Sequence, residues 1–468
     1  MLYIDDENGT FEGGIRTMRR ILAVFLAAVM LLSACGIAGA EKETRKMETA
    51  PDADAFIEAF LGENPEEMDG VWAFSPQMET ALNQYGGIGG LAKQFAPLGK
   101  PEKIDPAYEG EIQGYKAFYI PIVFSAMSSD LILVVTDGAI AGLMTGAYSG
   151  GKKEEMAEND LFDSIELALE VESLGELPGI LTVPKGEGPF PAVVLIHGSG
   201  SSDKDETVGS LKPFKDLAEG LAARGIAVYR FDKRSYTFGL AIAADKHFTL
   251  ENESIEDAVN AVQMLAAQEK IDPERIFVLG HSLGGNAIPA IARELETKPT
   301  GACGFIMLAA SPRPLDKLMR EQYEFLYSLM PEITEEQQAE KDQTFAELDR
   351  LEDLDALGED DTVLGVWSAY WKWLAAYDIL AAAEEIRQPV LLLQGEEDYQ
   401  VTMEDYAIWK EKLGEKENWT MISYPGLTHC FVPGKKAEGG AVYTHEENVS
   451  DDVIQDIANF IGQTEAGR

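Results

Sequence analysis

Five uninterrupted apolar runs organise the second half of the chain: Ala192 to Ile196, Ile226 to Tyr229, Ile276 to Leu279, Phe305 to Ala309 and Val390 to Leu393. Amphipathic stretches with helical spacing lie between most of them, for example Leu211 to Ala223 and Ile255 to Ala267. Strands that are apolar on both faces and alternate with helices specify a mainly parallel sheet covered on both sides. Just upstream, Ile165 to Val171 alternates apolar and acidic residues and Gly179 to Val183 supplies a partner, which together predict an antiparallel edge. A further strand is expected over Thr420 to Tyr424.

The pattern in residues 51–150 is different. Phe56, Ile57, Phe60 and Leu61 fall at helical spacing, and Met78, Leu82 and Leu91 to Leu98 predict more helix, separated by Gly86-Gly87 and Gly89-Gly90. Strand-like segments follow at Tyr115 to Phe124, Leu131 to Val135 and Ile140 to Tyr148, with turns expected at Ser128-Ser129-Asp130 and Asp137-Gly138. Helices followed by a meander indicate a small α+β domain. Ser149-Gly150-Gly151 and the charged run to Asp160 mark a linker, taken as residues 151–164, before a larger domain over 165–468.

Charge narrows the possible partners. The chain carries 81 acids against 38 bases, a net charge of −43, which repels a phosphate backbone and excludes nucleic acid as the expected partner. The first 35 residues speak to location. Arg16, Arg19 and Arg20 precede the apolar run Ile21 to Leu32, too short to span ~30 Å of hydrocarbon but suited to the core of an export signal. Residues 1–17 lie upstream of Met18-Arg19-Arg20, where such a signal would conventionally begin. The ending Leu32-Ser33-Ala34-Cys35-Gly36 resembles the bacterial lipobox, which implies lipid attachment at Cys35, membrane anchoring and an extracellular location. Residues 36–50 read as a tether, and residues 51–150 resemble the small N-terminal domain of unknown function that precedes hydrolase domains in some bacterial lipoproteins. Only Cys303 and Cys430 remain, too few for a disulfide framework.

The chemistry concentrates at Ile276 to Gly285, IFVLGHSLGG. A buried strand, a glycine-rich turn and a helix-compatible segment from Asn286 to Arg293 place Ser282 where a strand ends and a helix begins. Gly280, Ser282 and Gly284 fit the GxSxG nucleophile elbow. Small flanking residues permit a sharp turn, and the following helix offers free N–H groups and a positive dipole end to an oxyanion.

With this motif the chain resembles the α/β-hydrolase superfamily over about residues 165–464. In such folds functional residues gather at the carboxyl ends of the strands. His197-Gly198-Ser199-Gly200, after the first apolar run, is similar to the HG-containing oxyanion loops of esterases, so the backbone N–H groups of Ser199 and Leu283 are the expected oxyanion donors. Gln394-Gly395-Glu396-Glu397-Asp398 places acids just past a strand where the superfamily carries its triad acid; Asp398 matches the spacing best, with Glu396 and Glu397 as neighbours of the same chemistry. Of the five histidines His429 and His445 follow the acid in the order Ser, Asp, His, and His429, just past the expected strand Thr420 to Tyr424, is the candidate base. His197 and His281 belong to backbone motifs, and His247 and His445 read as surface residues. Cys430, beside His429, is expected to be a packed hydrophobe rather than a nucleophile. No metal or organic cofactor is required.

Residues 312–388 look helical and are expected to cap the site. Trp367, Tyr370, Trp371 and Leu374 share one helical face that Tyr377 continues, and such a stripe either packs the cap or lines a substrate pocket. Glu332 to Asp361 holds thirteen acids and two bases, which disfavours strongly anionic substrates. The resemblance implies an exported serine hydrolase that cleaves carboxylic esters through an acyl-enzyme. A serine peptidase of prolyl-peptidase or aminopeptidase type acting on short peptides, an acyl thioesterase, and a binding lipoprotein with a vestigial triad stand as alternatives.

Overall fold

The computed structural model describes residues 46–464, except 147–158 and stretches of one to three residues between 63 and 127, at 173 and at 331–332. The leader and Cys35 therefore lie outside the described residues, as does most of the expected linker. The chain divides into two compact units, one reaching Glu155 and including Thr237–Ala243, the other comprising Met156–Tyr236 and everything from Ala244.

In the first unit, helix α1 (Ala53–Leu61) starts at Asp52, whose side chain accepts the Ala55 N–H, and buries Phe56, Ile57 and Phe60. A second helix, α2, spans Ile88–Lys93, so Gly89-Gly90 lies inside a helix rather than between two. The helices pack with a five-stranded antiparallel sheet: β1 (Pro101–Ile104), β2 (Tyr108–Ile112), β3 (Tyr115–Phe124), β4 (Ser128–Thr136) and β5 (Ala139–Gly146). The β4–β5 turn falls at Asp137 and Gly138, both at positive φ (51° and 79°), the backbone of a two-residue hairpin. Ser128-Ser129-Asp130, expected as a turn, is instead paired within β4, where Asp130 is buried and accepts the Tyr108 hydroxyl at 3.1 Å.

The second unit is built on an eight-stranded sheet. In chain order its strands are β6 (Phe162–Glu166), β9 (Gly179–Pro184), β10 (Phe190–Ile196), β11 (Ala227–Phe231), β12 (Ile271–His281), β13 (Gly304–Leu308), β16 (Val390–Gly395) and β17 (Trp419–Tyr424). Their spatial order is β17-β16-β13-β12-β10-β11-β9-β6; the pairs from β17 to β11 are parallel, while β9 and β6 add an antiparallel edge. The expected strand Ile165 to Val171 is broken in two. Its first part ends at Glu166 in β6, and β7 (Leu169–Val171) pairs with β8 (Gly175–Leu177) in a separate ribbon.

Helices α3 (Pro213–Ala222), α4 (Glu256–Ala266), α5 (Leu283–Leu295) and, at the C-terminus, Asp451–Gln463 flank the sheet. Val193 and Leu195 of β10 and Phe277 and Leu279 of β12 are fully buried against Leu217, Leu221, Ile457 and Ile461, each such side chain contributing roughly 1.5–3 kcal/mol relative to exposure. Between β13 and β16 lies the cap: α6 (Leu315–Ser328), α7 (Glu335–Asp349), a short hairpin of β14 (Thr362–Val363) and β15 (Val366–Trp367), α8 (Ser368–Ala376) and α9 (Ile379–Glu384). Arg313 roots it through Nε and Nη2, each 2.8 Å from a different oxygen of buried Asp405, a bidentate geometry that fixes direction as well as distance.

Candidate active site

Ser282 sits between the end of β12 and the first residue of α5, with φ 52° and ψ −118°. A non-glycine residue in this region costs about 1–3 kcal/mol and persists only where its surroundings over-determine it. They do so here. The Ser282 N–H donates to the Leu308 carbonyl at 2.8 Å and its carbonyl accepts the Asn286 N–H at 3.1 Å. Both flanking glycines are required by close approach: a Cβ on Gly280 would meet the Gly284 carbonyl oxygen at 2.2 Å, and one on Gly284 would meet the Ile196 oxygen at 2.2 Å. The turn is thus wedged against the end of β10, and a Cβ on Gly198 would lie 3.1 Å from the Ser282 Cβ.

Asp398 and His429 come from the neighbouring strand ends. His429 Nδ1 is 2.7 Å from Asp398 Oδ2. A carboxylate only accepts, so Nδ1 carries a proton, and in the neutral ring this tautomer puts the lone pair on Nε2. Asp398 is held from every side: its Oδ1 accepts the Gln400 and Val401 N–H groups at 2.7 and 3.0 Å, and its Oδ2 also accepts Gln394 Nε2 at 3.2 Å. Its exposure is 1%, against an exposed Glu396 bound to the Ser423 hydroxyl and a Glu397 that pairs with Lys435 at 3.1 Å and accepts the Lys436 N–H at 3.0 Å. Of the three acids, only Asp398 reaches the histidine. Glu397 is more than a surface charge, because it ties down the loop after His429.

Ser199 follows β10 and Leu283 opens α5, both beside Ser282 in the chain or across the Gly198 contact. Among the described residues neither backbone N–H has an acceptor within the chain, which leaves both donors free. Cys430 is buried, and burial together with the Glu206 and Asp398 carboxylates pushes its thiol well up, away from the nucleophilic thiolate. Among the described residues no group of three or more His, Cys, Asp or Glu is arranged to hold a metal ion.

Two histidines read from the sequence as motif residues have definite partners. His197 Nε2 donates to the Asp203 carbonyl at 2.9 Å, and burial brings its pKa down to about 4, so the ring is neutral. His281 Nε2 donates to the His429 carbonyl at 3.0 Å, and its Nδ1 lies 3.0 Å from Glu206 Oε2. At that distance the contact is an ion pair when the imidazole is protonated, although its angles fall outside those of a hydrogen bond. Burial opposes the charge on His281, but the Glu206 carboxylate, the His429 carbonyl and the Asp398 carboxylate together outweigh it and raise the imidazole above its ordinary value. Glu206 Oε1 also accepts the Gly198 N–H at 2.6 Å. Glu206 therefore joins the elbow to the loop after β10, and the only sequence-level sign of it is an acid close behind an HG turn. His247 and His445 are exposed.

The aromatic stripe mainly packs. Trp367 belongs to the hairpin rather than the helix. Trp371 fills the cap core with Leu348, Leu351 and Val363, and the Tyr370 hydroxyl bonds to Glu253.

The serine aminopeptidase (S33) family model matches residues 188–433, which is more than half of the chain and includes all of these strand ends. The chain belongs to the S33 family of α/β-hydrolases. This hydrolase is 35% identical over 356 residues to esterase EstD of Thermotoga maritima, covering 76% of this chain and 82% of that protein. It is 24% identical over 322 residues to dipeptidyl aminopeptidase BIII of Pseudoxanthomonas mexicana, where the match spans 66% of this chain and 41% of the relative. Among solved structures, Est1E from Butyrivibrio proteoclasticus aligns over 64% of this chain and 98% of its own, at 16% identity and a TM-score of 0.41.

Proposed function

We propose that this S33 hydrolase cleaves carboxylic esters through an acyl-enzyme at Ser282. The observation that carries the reading is the 2.7 Å bond from His429 Nδ1 to buried Asp398 at the strand ends that also present Ser282 on its strained turn. His429 Nε2 takes the hydroxyl proton as Ser282 Oγ attacks the ester carbonyl carbon. The carbonyl π electrons move onto oxygen, where the Ser199 and Leu283 N–H groups receive them. Collapse of this intermediate breaks the carbon–oxygen bond to the alcohol, which leaves with the proton from His429. Water then attacks the acyl-serine, gives its proton to the same nitrogen, and releases the acid as Ser282 recovers its own. Asp398 holds the required tautomer and stabilises the transient imidazolium.

An ester is preferred over a peptide because the similarity to the esterase is higher, 35% against 24%, and covers 82% of that relative against 41% of the aminopeptidase. The purified chain is to be assayed on p-nitrophenyl esters of increasing acyl length and on aminoacyl p-nitroanilides. Ester turnover exceeding anilide turnover by orders of magnitude supports the reading; preferential anilide cleavage replaces it with the peptidase.

We also propose, from the lipobox-like Leu32 to Gly36 segment, that the chain is exported and anchored through lipid at Cys35. Cys35→Ser should leave the membrane fraction or remain unprocessed. Unchanged fractionation of the variant, with no lipid label on the wild type, rejects it.

A further inference from the structure

Gly198 is clamped at both of its backbone polar groups by buried charges. Its N–H donates to Glu206 Oε1 at 2.6 Å, and its carbonyl accepts from Lys233 Nζ at 2.8 Å. The Lys233 side chain is 3% exposed, and its ammonium also lies 2.9 Å from Glu253 Oε1. The other oxygen of Glu253 accepts the hydroxyl of Tyr370, which stands on cap helix α8. An unbroken chain therefore runs from the cap through Tyr370, Glu253 and Lys233 to one carbonyl oxygen next to Ser282. The proposed mechanism uses none of these three side chains.

The carbonyl of Gly198 and the N–H of Ser199 belong to one peptide unit. That unit is planar and trans, so its oxygen and its hydrogen point in opposite directions. Fixing the oxygen fixes the line along which the Ser199 N–H is offered. A charged donor on the carbonyl also polarises the peptide and strengthens the hydrogen bond its N–H can give. No sheet ladder holds this loop, because β10 ends at Ile196. A buried lysine is costly to maintain and would not be needed merely to close a turn.

We infer that Lys233 is the positioning residue of the oxyanion hole, acting through the Gly198–Ser199 peptide, and that Tyr370 of the cap sets Lys233 through Glu253. The inference rests on the reading of Ser199 as an oxyanion donor. It adds a dependence of that donor on the cap: whatever moves α8 also moves the hydrogen bond that stabilises the intermediate.

The test uses the full chain and the variants Lys233→Met, Tyr370→Phe and the two combined. Each is measured for kcat and KM on p-nitrophenyl acetate, for thermal melting, and for the final stoichiometry of fluorophosphonate label on Ser282. Removing an oxyanion donor outright costs about 10²–10³ in kcat, so Lys233→Met should lose up to about 10²-fold and Tyr370→Phe about tenfold, with KM changed less than about threefold. Tyr370→Phe should have no further effect once Lys233 is methionine, since both act on one path. Label should still reach one per chain in every variant. The inference is overturned if Tyr370→Phe leaves kcat unchanged, if it costs the same factor in both backgrounds, or if the losses fall on KM. If Lys233→Met does not fold, Glu253→Gln replaces it in the same cycle with the same criteria. Failure of wild-type Ser282 to take the label would instead remove the reading on which the inference rests.

Discussion

The Tyr377 hydroxyl is wedged between the Asn286 carbonyl, to which it donates at 3.2 Å, and the Ala290 N–H, from which it accepts at 3.1 Å. Those two backbone groups stand four residues apart in α5 and would pair in an unbroken helix. Pro289 lies inside the same helix, and its missing N–H and bulky ring already disturb the ladder one residue earlier. The cap thus fills a defect in the helix that begins at Leu283. Burial pushes the phenol well up, so the hydroxyl remains a neutral donor and acceptor.

Tyr377→Phe keeps the ring and removes the wedge. Leaving a buried N–H and carbonyl without their shared partner should cost about 1–3 kcal/mol, read as a lower midpoint in denaturant with an unchanged slope. A midpoint equal to wild type would show that Asn286 and Ala290 pair directly when the hydroxyl is absent.

Asp398 and Glu397 are adjacent, but their surroundings assign them unequal work. Asp398→Asn should fold and yet lose turnover on the scale of the handful of powers of ten, about 10⁴, seen for the equivalent change in serine proteases. Glu397→Gln weakens a partly exposed contact with Lys435 and should change turnover less than about threefold, in line with the small worth of surface ion pairs. Steady-state kinetics of the two variants on one ester checks this; a larger loss for Glu397→Gln would transfer the role of the acid.

The Glu206–His281 pair makes a signed prediction for pH. His281 is raised above its ordinary 6.5, so its contribution is complete below 6.5 and is lost as pH rises through the raised value. Burial works against the Glu206 charge, but His281 and the Gly198 N–H more than offset it and hold the carboxyl below its ordinary 4.5, so its contribution is present above 4.5 and is lost as pH falls through the lowered value. The pair therefore stabilises most between 4.5 and 6.5. Glu206→Gln still accepts the Gly198 N–H but cannot pair with an imidazolium. Its deficit in Tm should be largest in that window and shrink at alkaline pH; a deficit independent of pH would contradict the ionic pairing.

Cys430 should be inert although it adjoins His429. Iodoacetamide ought to leave it unmodified in the native chain and alkylate it after denaturation, because burial and two carboxylates disfavour the thiolate. Peptide mass mapping under both conditions reads this directly, and rapid native alkylation at Cys430 with loss of activity would reopen a thiol mechanism.

The parallel strands were legible because each is a local, continuous apolar run bounded by turn residues, and Val390 to Leu393 or Phe305 to Ala309 needs no distant partner to be read. The edges were less so. β1 and β2 show little apolar patterning, and Pro101–Ile104 is mostly exposed. Ser128-Ser129-Asp130 has turn-like composition, but cross-strand pairing to β3 and the Tyr108 hydroxyl overrides it. At the candidate site, GHSLGG and the order of acid and histidine mark Ser282, Asp398 and His429, whereas Glu206, Lys233 and Glu253 are charged residues among 119 and look like solvated surface. What distinguishes them is long-range pairing inside the protein, 35 residues from Lys233 to Gly198 and 117 from Tyr370 to Glu253, which no local pattern encodes. The strained φ of Ser282 was foreseeable from its glycines; the equal φ of Glu206, 52°, was not.

The central claim is that Ser282 is the nucleophile and His429 its base. A fluorophosphonate probe followed by mass mapping tests it most directly, on the wild type, Ser282→Ala and His429→Ala. The account predicts one adduct per chain on the peptide carrying Ser282, none in Ser282→Ala, and labelling and ester turnover slowed at least about 10³-fold in a folded His429→Ala. An adduct on another residue, or ester turnover retained in Ser282→Ala, would contradict it.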